Sequence, residues 1–319
     1  MIRKLYISAA LCLIMSVMCI AQQEQLYTQF MYNKLGLNPA FAGNHENVAV
    51  SAIIRNQWVG FEGAPITQSA SLNVPLANQK IGLGLNLTRN TIGISEKQTI
   101  DLIYSYRMNI ADAGTLSIGL QGSARRYQID YTDPRLNGIV DKIFDPAIDV
   151  RRFDENVINF GAGLYFNTSH FYVGISSPRL IERSINFASQ LGFSQEVRHI
   201  MWMMGGAIDL NDDWVMTPQT IFRYTKNSPF DIDFNISATW RSYLTGGITY
   251  RHGGDSSSFA ESIDVLFGIQ VSRQFMISAA YDFTLSQIRN HSSGSFEIGL
   301  HYVIGGKRNP GDNINPRYF

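Results

Sequence analysis

Cysteine is nearly absent from this chain: Cys12 and Cys19 are the only two among 319 residues. Both lie in an N-terminal stretch that reads as a cleavable export signal. There Arg3 and Lys4 precede an apolar run, Leu5 to Ile20, which ends at Ala21 before Gln22, Gln23 and Glu24. Cleavage after Ala21 is expected to leave a mature chain without a thiol, which excludes disulfides, thiolate metal sites and a cysteine nucleophile. Lipid attachment at Cys19 would require a small residue where the bulky Met18 stands.

Long apolar runs are missing as well. After Ile20 no segment approaches the roughly 20 apolar residues that a membrane-crossing helix needs. Charge is sparse and balanced, at 16% of residues with 26 basic against 26 acidic; without Arg3 and Lys4 the acidic residues outnumber the basic ones by two. Such a chain offers no basic face for nucleic acid. Catalytic signatures are lacking too. No G-x-S-x-G or H-E-x-x-H occurs, and His45, His170, His199, His252, His291 and His301 are scattered without metal-ligand spacing. No enzyme, cofactor or metal is expected.

What the chain does have is 19 Phe, 15 Tyr and 27 Gly, a composition suited to membrane strands with aromatic girdles. In the clearest stretch Phe230, Ile232, Phe234, Ile236, Ala238 and Trp240 alternate with Asp231, Asp233, Asn235, Ser237, Thr239 and Arg241. Only a period of two keeps these sets apart, because a helix would mix them. Similar alternation runs through 244–251, 263–271, 275–285 and 296–304. Less regular strands are expected near 47–54, 66–74, 81–88, 98–107, 115–126, 157–167, 170–176, 199–208 and 214–225. The sum is an even-numbered, all-β, antiparallel transmembrane β-barrel of about 14 strands in an outer membrane. Connections alternate between short and long, as a barrel with periplasmic termini requires. The short ones fall at 75–80, 109–114, 167–169, 210–213, 242–243 and 272–274, and the longest outer loops are expected at 127–156 and 177–198. The expected organisation is a signal peptide (1–21), an N-terminal periplasmic or lumenal segment (22–46), the barrel (47–304) and a periplasmic tail (305–319).

Charged residues on barrel strands must face water or an opposite charge. Antiparallel pairing is expected to bring Asp231 and Asp233 near Arg251, with Asp264 and Asp282 on the same inward face. Lumenal wall pairing that fixes register is the preferred reading of that cluster, ahead of a binding site. Two segments break the alternation. Residues 22–46 are too aromatic for a disordered tail, with Tyr27, Phe30, Tyr32 and Phe41, so they are expected to pack in the lumen or along the rim. The first outer loop is read as Arg55-Asn56-Gln57-Trp58-Val59-Gly60-Phe61-Glu62-Gly63-Ala64-Pro65, and its aromatics between glycines suit an inward-folded loop or a protein-binding tip.

At these segments the chain resembles the PorP/SprF family of Bacteroidetes. The matching motifs are Gln29-Phe30-Met31, then Asn38-Pro39-Ala40-Phe41-Ala42-Gly43, then Arg55-Asn56-Gln57-Trp58 with Gly60-Phe61 and Gly63-Ala64-Pro65, together with Tyr281-Asp282 and the tail Asn315-Pro316-Arg317-Tyr318-Phe319. The stretch Glu24 to Thr28 departs from the proline and serine often found there. The resemblance implies an outer-membrane barrel of the type IX secretion and gliding machinery. Its implied partners are a large secreted cargo such as an adhesin, recognised through its C-terminal domain, other type IX secretion components and outer-membrane lipid. It carries over no catalytic residue. A channel or uptake barrel for small or hydrophobic solutes is the alternative role.

Overall fold

The computed structural model describes residues 26–133, 152–186, 193–226, 228–253 and 260–305. The expected export signal and all but the first residue of the tail lie outside them. Fourteen antiparallel strands form one closed barrel: β1 (Val48–Asn56), β2 (Ile66–Leu76), β3 (Ile81–Ile92), β4 (Ser95–Ile110), β5 (Gly114–Asp130), β6 (Arg152–Asn167), β7 (Phe171–Arg179), β8 (His199–Gly206, continued by Ile208–Asp209), β9 (Trp214–Thr225), β10 (Asp231–Trp240), β11 (Leu244–His252), β12 (Ser262–Gln270), β13 (Phe275–Thr284) and β14 (Ser295–Ile304). Each strand pairs with its sequence neighbour, and β1 closes on β14 from Val48↔Ile304 to Asn56↔Phe296. Closure removes the free sheet edge that would leave backbone groups unpaired in lipid.

The barrel is inside out relative to a water-soluble protein. On β10, Asp231, Asp233, Asn235, Ser237 and Thr239 are buried, while Phe234 and Ile236 are exposed on the outer surface. The same holds on β12, where Asp264 is buried and Ile263, Val265 and Phe267 are exposed. An apolar belt outside and hydrogen-bonded polar groups inside is what hydrocarbon demands of a spanning sheet. Aromatic rings mark both edges. Trp214 is paired with Trp240 at the ends of β9 and β10 next to the short turns, and Phe275 lies against Tyr302 at that level. Tyr224 against Phe230 and Tyr281 against Phe283 sit at the opposite edge.

Strand lengths are unequal, and here the sequence-based boundaries need correction. Strands β10 to β14 are 9 or 10 residues long, about what a tilted crossing needs. In contrast β4, β5 and β6 have 16, 17 and 16 residues. The expected loop 127–156 therefore gives up both its ends, since β5 continues to Asp130 and β6 begins at Arg152. The outward residues there change from Leu120, Ile158 and Phe160 to Arg126, Gln128, Asp130, Asp154 and Arg152. A strand that rises out of the membrane keeps its period of two but loses the polarity contrast that reveals it. The expected loop 177–198 shrinks likewise: β7 runs to Arg179, and Arg183–Asn186 pairs with Phe193–Glu196 as a two-stranded ribbon.

Candidate functional site

The segment before the barrel lies inside it. From Leu26 to Gly43 all residues are buried except Tyr32 and Gly36, which are partly so. The backbone coils into a 3-10 turn (Phe30–Tyr32), a single helical turn α1 (Lys34–Leu37) and a second 3-10 turn (Pro39–Phe41). Short turns let the buried segment satisfy part of its own backbone: the Tyr32, Asn38 and Phe41 amides donate to the Gln29, Lys34 and Asn38 carbonyls at 3.0, 2.8 and 3.1 Å. The Asn38 side chain starts the second turn by accepting from the Ala40 amide at 2.9 Å, with Pro39 in the first position, where no amide hydrogen is needed.

Two sets of contacts hold this plug. The first is steric. Gly82, Gly119, Gly163 and Gly174 stand on the inner wall where the plug touches it. A Cβ on Gly119 would strike the backbone of Pro39 and Ala40, one on Gly82 would strike Ala42 and Gly43, and one on Gly163 or Gly174 would strike the Asn38 amide. Hydrogen bonds seal the same contact. Asn38 Nδ2 donates to the Leu164 carbonyl at 3.0 Å, Ser176 Oγ to the Leu37 carbonyl at 2.7 Å, Ser105 Oγ to the Ala42 carbonyl at 2.5 Å, and the Gly43 amide to Asn73 Oδ1 at 2.6 Å. Arg107 donates to the Gly43 carbonyl, and Gly43 holds a φ of +73° that favours glycine. Lys34 Nζ lies 3.9 Å from the centre of the Tyr172 ring, a cation–π contact inside the lumen.

The second set is ionic. Each of the consecutive strands β9 to β14, and then β1, contributes one charged side chain to a network near the outer end of the lumen: Arg223, Asp233, Arg251, Asp264, Asp282, Glu297 and Arg55. Asp233 lies 2.8 Å from Arg223 and 2.9 Å from Arg251. Arg251 also approaches Asp282 at 3.3 Å and Asp264 at 3.5 Å. Asp282 reaches on to Arg55 at 3.1 Å, and Arg55 meets Glu297 at 2.5 Å. All are buried. The plug joins through Thr28 and Gln29. Their amides donate to Glu297 at 2.6 and 3.0 Å, and the Thr28 hydroxyl donates to Asp264 at 2.7 Å. Charges this deeply buried persist only when paired and hydrogen-bonded. Across the lumen the fully buried Glu196, carried in by the outer ribbon, accepts from Arg125 at 3.1 Å, Tyr127 at 2.7 Å and Asn159 at 2.6 Å.

The residues singled out from sequence fall into three places. Asn38, Pro39, Ala42 and Gly43 are buried in the plug, where they touch the wall of their own barrel. Arg251 gathers Asp233, Asp264 and Asp282; Asp231, also buried, is the cross-strand partner of Arg223. Arg55 and Asn56 need correction, since they end β1 and do not belong to the first outer loop. Arg55 points into the lumen as an ion-network residue because its odd position shares the face of Ala49 and Ile53. The loop proper, 57–65, presents Val59, Gly60 and Phe61 to solvent, with Trp58 and Gln57 half-buried and Pro65 buried. Sequence reasoning missed Arg223, Glu297 and the Arg125–Glu196 contact. Arg223 and Glu297 carried the same signal as Asp233, a charge on the polar side of an alternating strand. The ribbon that delivers Glu196 gave none.

The loop is braced. The Val59 amide donates to the Gly294 carbonyl at 2.8 Å and the Ser293 amide returns to Val59 at 2.7 Å, so the first and last outer loops are zipped together. The Gly93 amide, at the β3–β4 turn, donates to Gly63 at 2.8 Å. Between the loop and the outward face of the tall β3–β6 wall lies a cleft of about 580 Å³.

A membrane-spanning barrel of fourteen strands, with residues 26–43 buried against its inner wall, is thus the class of protein in hand, and it fits an outer membrane. The family model for the type IX secretion system membrane protein PorP/SprF matches residues 19–302, and the chain belongs to that family. This is a family of secretion membrane proteins and not an enzyme class. Among curated proteins none matches the chain in sequence. Solved structures with a similar fold include the CymD monoaromatic hydrocarbon channel (13% identity over 89% of this chain and 95% of that one, TM-score 0.49). Others are the Ralstonia pickettii toluene transporter TbuX (10%, 85% and 92%, 0.49) and a Pseudomonas aeruginosa FadL homologue (11%, 86% and 94%, 0.46).

Proposed function

We propose that this barrel is a non-enzymatic anchoring or export partner within the type IX secretion system. It engages a large secreted cargo, of adhesin type, through the cargo's C-terminal domain, and works beside other components of the machinery. The reading rests on family membership together with one structural observation: the lumen is taken up by a plug fastened by two independent sets of contacts, while the braced outer loop turns Val59 and Phe61 toward solvent. Exposed apolar groups held on a braced outer loop suit protein recognition. The assignment of the N-terminal segment as a stable plug, and of the charged network as the wall pairing that holds it, belongs to the same proposal.

Deletion of the gene in the producing cell tests this. Loss of one large protein from the cell surface, restored by the intact gene, is the expected result. Normal surface display in the deletion strain would overturn the reading, and a steady open conductance from the intact protein in planar bilayers would favour solute transport instead.

A further inference from the structure

The wall between β6 and β7 is zipped along only part of its height. Sixteen residue pairs join β5 to β6, from Thr115↔Asn167 up to Asp130↔Arg152, but only six join β6 to β7, from Asn167↔Tyr172 up to Ala162↔Ser177. The ladder stops at Pro178, which has no amide hydrogen to give. A Cβ on Gly161 would lie 2.8 Å from the Pro178 carbonyl oxygen and 2.9 Å from its Cα, so the two backbones touch there without a ladder. At the same point β7 carries one residue too many for its other neighbour, because pairing with β8 jumps from Met201↔Ser176 to His199↔Arg179. Ser177 Oγ closes this bulge on the Arg179 carbonyl at 2.8 Å.

The interruption lies at hydrocarbon depth. Cross-strand pairing sets Ile158 in one row with Ala124, Ile100 and Leu87, and Ile158 and Phe160 are exposed by 63 and 53% on the outer surface. Backbone groups at that depth need partners within the protein. Among the described residues one backbone bond crosses the seam above Pro178, from the Leu180 amide to the Phe160 carbonyl at 2.8 Å. A side chain supplies the rest. The buried Asn159 accepts from the Ile181 amide at 3.1 Å through Oδ1, and its Nδ2 donates to the Ile181 carbonyl at 2.8 Å and to Glu196 at 2.6 Å. On the lumenal side Pro178 borders a cavity of about 30 Å³ against Tyr27, Gly36 and Leu37 of the plug.

We infer that residues 179–181, hinged on the bulge at Pro178, form a side gate that swings away from β6 and opens the wall between the outer leaflet and the plug. Asn159 is its latch, and Glu196 holds the latch in place. Opening breaks one backbone bond and the Asn159 contacts, whereas parting β5 from β6 would break a continuous ladder. The gate rests on the wall alone and stands apart from the cargo role.

Distances measured by pulsed EPR on the full-length protein in lipid vesicles test it. One sample carries spin labels at positions 102 and 181, on the outward face of β4 and beyond the hinge. A second carries them at 102 and 173, below the hinge. Wild type labelled at 102 and 181 is expected to show a main distance and a minor one longer by about 5 Å, one strand spacing. Asn159→Ala unfastens the latch and should raise the ratio of long to short roughly fivefold, as losing one hydrogen bond of typical net strength would. Gly161→Ala acts from the other side by setting a methyl group against Pro178, and should shift the ratio the same way. The 102–173 pair should keep a single distance throughout. A single short distance in wild type, a ratio unchanged in the variants, or a long component that also appears between 102 and 173 would overturn the gate; the wild-type distribution decides even where a variant does not refold.

Discussion

Glu297 on the last strand accepts the backbone amide of Thr28 at 2.6 Å, while its carboxylate also meets Arg55 at 2.5 Å. One side chain thereby ties the plug, the first strand and the last strand together at the seam where the barrel closes. Replacing it with alanine removes the acceptor for two plug amides and leaves Arg55 with Asp282 at 3.1 Å and the Thr28 hydroxyl at 3.2 Å. Breaking a buried pair by deleting one partner costs roughly 3–5 kcal/mol. Glu297→Ala is expected to lower stability by that order in urea titration of the refolded barrel, and to raise bilayer conductance above wild type as the plug loosens. Wild-type stability together with unchanged conductance would show that Glu297 does not anchor the plug.

The wall glycines make a separate prediction. Gly119→Val places a Cβ, with two methyl groups beyond it, in hard contact with the Ala40 nitrogen and the Pro39 carbonyl carbon. Overpacking of this kind typically costs about 1–3 kcal/mol, and here it should act by expelling the plug. A spin label at position 36 should gain mobility in Gly119→Val. Gly122→Ala serves as control, since nothing lies within 4 Å of the added carbon. Mobility gained equally in both variants would mean that close approach to Gly119 is not what seats the motif.

The fold was legible because lipid imposes one rule on every crossing. Strand 9, though less regular, was read to the residue at 214–225, and the last five strands to within a residue or so, where apolar and polar positions alternate most clearly. The rule fails where lipid ends, so the tops of β5 and β6 were read as loop. It also gives no depth. Arg55 was placed in a loop because the motif Arg55-Asn56-Gln57-Trp58 runs across the strand end, half wall and half surface. That Asp233 opposes Arg251 followed from antiparallel register. That Arg55 opposes Glu297 did not, because the pair lies across the closing seam, where residues 242 apart in sequence meet. The glycine holes were hidden for another reason: a glycine shows that something comes close, and never what.

Acid should release the outer ribbon. Burial by itself raises the Glu196 carboxyl, but Arg125 beside it, the Tyr127 hydroxyl and the Asn159 amide, with Arg179 near, outweigh that effect and hold it below the usual range. A depressed carboxyl stabilises its attachments above the unfolded value near 4.3, and that contribution fades as pH falls through the lower folded value. A spin label at position 183 on the ribbon is expected to be immobile at pH 7 and to gain mobility below about pH 4. Glu196→Gln should abolish the transition. A pH response that survives in Glu196→Gln would assign it to another group.

Arg251 poses the sharpest question about the ionic network, because Asp264 and Asp282 are direct cross-strand partners of like charge. Like charges opposite one another destabilise a sheet, and here Arg251 reaches both, at 3.5 and 3.3 Å, while also holding Asp233 at 2.9 Å. Removing it as Arg251→Met leaves three carboxylates facing one another in a closed lumen, with Arg223 and Arg55 at the ends. If attraction through Arg251 is what makes the Asp264–Asp282 pair tolerable, the two sites must be coupled. Asp264→Asn then destabilises the wild-type barrel, but is neutral or stabilising in the Arg251→Met background. A double-mutant cycle by urea unfolding should give a coupling of about 0.5–3 kcal/mol with that sign. Additive effects would mean that water or ions screen Asp264 from Asp282 and that the network acts as separate pairs.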